Sequence, residues 1–393
     1  MPSRELLSLS LYSLLASNRG GLFIVFLPLY LVEVKGAQLP VALAILTIAW
    51  VPASLIGPWM GRLSDRAGRR KPFLVLGEAG AFPLFLAIIF APGWFVAGTL
   101  FVAAELVLAI GSPAYTAYVA DVSPTSERGE GYGLLNATSN AGAVVGFILA
   151  GIVTLTYGLW ALFPFVVVMM IGTLAVVVLV VPDVRIPAST KRRPLREMRS
   201  VVTFSFAVSI RAIGSGAVAA VYGYLAASLG ANPFEVSVVA IAGLVTGAVT
   251  GIPLGRAIDR LGEIRGIWYG TALTLASYGI FMFSTNWSEV VPAQAVRNAG
   301  LSLLGPGMNA WVARMAPPDQ RAEYLGVFSL INSSLWSVGP LIGAVALFLY
   351  GYLGLFAMAI GTTVVSLIVM EFLYGEMGIR DRFQRVRSDA TSG

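Results

Sequence analysis

Apolar stretches of twenty or more residues recur from one end of the chain to the other, separated by short polar segments. A helix of that length crosses the ~30 Å hydrocarbon core of a bilayer. The pattern predicts twelve spans, at 7–32, 39–60, 72–91, 94–119, 129–154, 159–181, 201–228, 236–258, 264–285, 290–315, 323–350 and 352–374. The longest polar interruption, "DVRIPASTKRRPLREMRS" at 183–200, falls between spans six and seven. It divides the chain into a first six-span bundle (1–182), a linker (183–200), a second bundle (201–376) and a tail (377–393). The fold class predicted is all-α integral membrane.

Composition narrows the chemistry. Of 393 residues, 57 % are hydrophobic and only 12 % charged, which a soluble chain of this size does not show. There is no cysteine and no histidine, so disulfides and thiolate or imidazole metal sites are not expected, and a proton carrier has to be a carboxylate. No nucleotide-binding loop and no nucleophile–base–orienter set is present, so the chain is read as a non-enzyme without cofactor. The first apolar segment is too long for a cleaved signal peptide and reads as span 1.

Charge placement gives orientation. Of the 26 basic residues, Arg19, Arg211 and Arg297 lie well within spans, and 22 lie at the termini, in the loops after even-numbered spans or at the span ends beside those loops. Only Lys35 falls on the other side. The positive-inside rule then places both termini in the cytoplasm, with a cell membrane as the expected location. The net charge of +6 follows from those loops and calls for no nucleic-acid partner.

The two halves repeat. Gly61, Arg62, Asp65, Arg66 and Gly68 in "GRLSDRAGRR" match Gly255, Arg256, Asp259, Arg260 and Gly262 at an offset of 194. Pro113, Pro124, Arg128, Glu130, Gly133 and Gly146 match Pro306, Pro317, Arg321, Glu323, Gly326 and Gly339 at an offset of 193. Copies in the same orientation mark one class of secondary transporter.

The loop "GRLSDRAGRR" resembles the signature of the major facilitator superfamily between spans two and three, and the span count and half-repeat extend the resemblance over almost the whole chain. The resemblance implies two six-helix bundles around a cavity that opens alternately to each side, lined by spans 1, 4, 7 and 10. It also implies a conformational latch. Gly61 and Gly68 allow close approach, and Asp65, beside Arg66 and echoed by Asp259, faces the start of span 11 near Glu323. Arg69 is expected to pair with Asp121, and the repeat offsets then pair Glu263 with Arg314 in reversed sign. A solvated loop that only sets topology is the alternative for the basic residues. In span 5 Phe147 stands where the antiporter branch of the family has proline.

Arg19, Glu105, Arg211 and Arg297 fall one each on spans 1, 4, 7 and 10, deep in the membrane, where each costs at least ~2.5–3.5 kcal/mol to insert. Arg19 and Arg211, at an offset of 192, are expected to face one cavity and clamp a carboxylate or phosphate, with Arg297, Asn18 and Tyr222 nearby. Glu105 is the candidate for proton coupling and Glu78 the second. These readings give a secondary transporter of a small solute, an organic anion coupled to protons, acting as a monomer in the bilayer. The alternatives are a proton-coupled exporter of hydrophobic compounds, in which the arginines only hold the cavity together, and a non-transporting sensor or lipid-handling protein on the same fold.

Overall fold

The computed structural model describes residues 4–122, 128–184, 199–315 and 321–374. Within those helices the side chains of Arg62, Asp65, Arg128, Asn136, Asp259 and Glu323, among others, lie outside the described set. The first half consists of α1 (Arg4–Leu29), which ends in a π-helical turn (Tyr30–Val34), then α2 (Leu39–Ala67), α3 (Lys71–Ile89), α4 (Trp94–Leu108), α5 (Ser112–Val122), α6 (Arg128–Tyr157) and α7 (Leu162–Leu179). The second half consists of α8 (Arg199–Ser228), α9 (Pro233–Leu261), α10 (Glu263–Phe283), α11 (Trp287–Met315) and α12 (Arg321–Tyr374).

Two elements differ from the expected spans. Span 4 is broken into α4 and α5. Pro113 cannot donate a backbone hydrogen bond and its ring crowds the carbonyl four residues earlier. The chain instead tightens through Ile110 N–H to Val107 O and Gly111 N–H to Leu108 O, each 3.1 Å. Conversely, α12 runs through spans 11 and 12, but Gly351 at φ 64°, ψ −161° turns it sharply, so 321–350 and 352–374 are separate helices in all but hydrogen bonding. Among the described residues nine helical stretches are long and apolar enough to cross a membrane. The expected spans at 264–285 and 290–315 are formed, as α10 and α11, but are less apolar.

Small residues set the packing within each half. A Cβ on Gly142 or Gly146 of α6 would collide with the Leu14 or Asn18 carbonyl of α1. A Cβ on Gly339 of α12 would strike the Ile213 carbonyl of α8, and one on Gly216 the carbonyl of Trp336. Close helix contact through glycine is how membrane helices associate where burial of apolar surface gives no drive. Gly146 and Gly339 are repeat partners, so both halves use one device.

The cores show how the halves meet. At the end away from the basic loops a single cluster draws on both halves, including Leu22, Phe26 and Phe163 with Val218, Val236 and Phe356. At the basic end the cores are separate, one around Leu6, Leu9 and Tyr118, the other around Phe204, Trp311 and Tyr324. Contacts between halves agree. Gly223 sits on Val25 and Gly151 on Ser237. Leu341 N–H, beside Pro340, donates to Thr47 Oγ1 at 2.9 Å, and Trp50 stacks on Trp336 at 5.3 Å. Among the described residues the bundles are joined at one end and parted at the end that carries the basic loops.

Candidate functional site

Two cavities meet in the interior. The larger, about 430 Å³, is walled mainly by the first half, with Tyr12, Arg19, Trp50, Glu78 and Glu105 among its lining and Trp336 from the second half. The other, about 380 Å³, lies between Ser54 of α2 and Ser329 and Ser333 of α12, and shares Glu105, Leu108 and Ser112 with the first. Glu105, one turn before the α4–α5 break, therefore stands at their junction.

Arg19 organises the larger cavity. Its Nη2 lies 2.5 Å from Glu78 Oε1, and both side chains are buried, at 7 % and 2 % exposure. The Tyr12 hydroxyl donates to the same oxygen at 2.8 Å. Glu78 Oε2 and Arg19 Nη1 have no partner. Glu105 feels the charge of Arg19 and lies beside Trp50, the residue that stacks on Trp336 across the halves. One guanidinium thus serves two carboxylates, and the wall carries a formal charge of −1 when both are ionised.

This arrangement corrects the expected clamp. Glu78 sits at the depth of Arg19 and neutralises it, so Glu105 is not the lone deep carboxylate. Arg211 does not face Arg19. Its Nη2 contacts Met308 Sδ at 3.1 Å, while Arg297 Nη2 donates to the carbonyl and hydroxyl of Ser215, each 3.2 Å. Neither lines either cavity. Tyr222 is buried in the core shared by the halves, and Asn18 is buried against α6 with Oδ1 unpartnered. Tyr12 and Trp50 were not singled out from the sequence. Tyr12 precedes Arg19 by seven residues, two helical turns, so the shared face was a usable signal. A single tryptophan in span 2 gives no such signal.

The basic loop is also corrected. Asp121 pairs with Arg70, at 2.9 Å, rather than with Arg69. Arg69, half exposed, pairs with Asp183. Ser64 Oγ accepts a second bond from Arg70 at 2.9 Å. In the second half Glu263 Oε2 lies 3.1 Å from Arg314 Nη1, the expected partner with signs reversed, and Arg314 also lies 4.5 Å from the Trp311 ring centre. The physical reason is one residue of loop. Gly68 and Gly262, both at positive φ, match at 194, but Pro113 and Pro306 match at 193, so one residue drops out between them. Past that point the offset is 193, which aligns Glu263 with Arg70. Gly61 packs its Cα face on Pro113, and Arg66 is exposed. The side chains of Asp65 and Asp259 lie outside the described set, so the latch they were expected to form has no geometry here. All four ion pairs among the described residues join groups within residues 1–184 or within the second half.

Arg70→Ala should therefore lower stability by about 1.5–3 kcal/mol, the scale of hydrogen bonds to charged groups, because it leaves the Asp121 carboxylate, 18 % exposed, without its cation. Arg69→Ala should change it little. Thermal unfolding of the two purified variants compares them directly, and the opposite ranking would restore Arg69 as the structural partner.

A sequence profile of the Major Facilitator Superfamily matches residues 9–205 and again residues 202–392. The tetracycline resistance protein, class C, of Escherichia coli is 24 % identical over 304 residues, 73 % of this chain and 75 % of that protein. The multidrug resistance protein MdtG of Proteus mirabilis is 23 % identical over 363 residues, 87 % of this chain and 89 % of that protein. Among solved structures, the human organic anion transporter MFSD10 (TETRAN) matches with a TM-score of 0.69 at 15 % identity, over 94 % of this chain and 100 % of that one.

Proposed function

The chain belongs to the major facilitator superfamily, and from that premise we propose that it is a secondary active transporter that moves a small organic anion together with a proton. The observation that carries this reading is Arg19, held between Glu78 and Glu105 on a cavity wall with Nη1 unpartnered. A substrate carboxylate has a guanidinium donor to meet there, but with Glu105 ionised it also meets a net negative wall. A proton on Glu105 removes that repulsion, so anion and proton enter as a neutral pair. Glu105 adjoins Trp50, and Trp50 stacks on Trp336 of the other half, so its charge state bears on the contact that the bundles must break to rock apart. With the basic loops in the cytoplasm, the parted end is the cytoplasmic one and the conformation is inward-open. The protein would act in this way as a monomer in the cell membrane, with both termini cytoplasmic.

Uptake of labelled carboxylates into proteoliposomes tests the reading. Accumulation should follow an acid-outside gradient and collapse with a protonophore. A second reading, a proton-coupled exporter of hydrophobic compounds, is favoured by the aromatic wall of Phe23, Trp50 and Trp336 and by the absence of Arg211 and Arg297 from the cavity. Transport of lipophilic cations with no carboxylate flux would establish it and defeat the anion.

The latch around Gly61, Asp65, Arg66 and Asp259 belongs to the same cycle. It would hold the basic ends together only in the outward-open state. Asp65→Asn should then shift the population further toward the parted form, read as longer spin-label distances between the basic ends of the two bundles, on α2 and at the start of α12. Identical distance distributions would remove Asp65 from the latch.

A further inference from the structure

The two halves handle buried charge differently. In the first, Arg19 has Glu78 and Glu105. In the second, Arg211 and Arg297 are 7 % and 6 % exposed and have only neutral acceptors, a thioether and one serine. The carboxylates of residues 201–374 are Glu235, Asp259, Glu263, Glu289, Asp319, Glu323 and Glu371; Asp319 lies outside the described residues, and the others are at or near helix ends. A guanidinium does not deprotonate in a protein, and an uncompensated buried ion costs several kcal/mol. The two cations are also close enough for their charges to interact, and Tyr278 of α10 adjoins Arg211.

Three donors in this region lack acceptors: Arg211 Nε, Arg297 Nε and the hydroxyl of Tyr278, whose side chain is fully buried. Arg297 reaches Ser215, one turn beyond Arg211 on α8, so both guanidiniums occupy the same α8–α11 contact. A water molecule would satisfy hydrogen bonds there but leave both charges uncompensated. We infer that the second half carries a binding site for a small inorganic monoanion of the halide class, between Arg211 and Arg297. An organic anion is disfavoured because neither arginine lines either of the two cavities described above. The inference does not rest on the transported substrate, since every group it uses lies in the second half.

The purified full-length protein tests it at constant ionic strength, with chloride or bromide replacing gluconate. At halide tenfold above Kd, the melting temperature of the wild type should rise by about 2 °C. Arg297→Gln should lose that rise. No rise in the wild type, or an equal rise in the variant, overturns the site. Should the variant fail to fold, crystals of the wild type grown in bromide decide the matter. An anomalous peak between Arg211 and Arg297 supports the site, and its absence there at saturating bromide overturns it.

Discussion

Arg19→Ala is expected to destabilise the protein by about 3–5 kcal/mol, the cost of breaking a buried ion pair by removing one partner. The reason lies in what the substitution leaves behind. Glu78 is 2 % exposed and would keep only the Tyr12 hydroxyl, with Glu105 adding like charge nearby. The stranded carboxylate, more than the lost contact, causes the damage. Arg19→Ala combined with Glu78→Gln should therefore recover much of the loss, because the pair then leaves as a unit and the two effects are strongly non-additive. Arg19→Lys should preserve stability better but bind the anion weakly, since an ammonium lacks the planar second donor. Thermal unfolding of the four proteins reads the stability terms. A double variant as unstable as Arg19→Ala would show that packing, not charge, is what Arg19 contributes.

The fold was legible because bilayer thickness translates directly into apolar length, and because gene duplication writes the half-repeat into the glycines and prolines that close packing demands. Gly146 and Gly339 match in sequence and play the same part against α1 and α8. The expected span boundaries at Gly351 coincide with the turn inside α12. The site was less legible. An arginine side chain spans several ångströms, so depth and repeat position do not say which way it reaches. Arg19 and Arg211 are near-equivalent in sequence, yet one finds a carboxylate and the other a methionine sulfur. Their difference depends on Glu78 of α3, which has no counterpart in α10: the position 193 residues on is Thr271. Symmetry of backbone does not imply symmetry of charge. The Arg69–Asp121 expectation failed for a similar reason: the identities at 194 and at 193 show that one residue drops out between Gly68 and Pro113, but not at which position.

Glu105→Gln should separate binding from coupling. Glutamine keeps the size of the side chain but is neutral at every pH, like the protonated carboxyl. If Glu105 carries the proton, the variant is fixed in its substrate-ready form. It should bind the anion at least as well as the wild type and exchange labelled for unlabelled substrate across the membrane. Accumulation against a gradient should fall by about tenfold or more, because a site that cannot lose its proton takes no energy from the pH difference. Glu78→Gln provides the contrast. It frees Arg19 from its ion pair, so its effect should appear first in stability and affinity, with a pH-driven component still present. Measuring equilibrium binding, counterflow and acid-driven uptake on both variants distinguishes the roles. Full proton-driven accumulation by Glu105→Gln would exclude Glu105 as the carrier and transfer that role to the Arg19–Glu78 pair, the other place on the cavity wall where a carboxylate can exchange its charge.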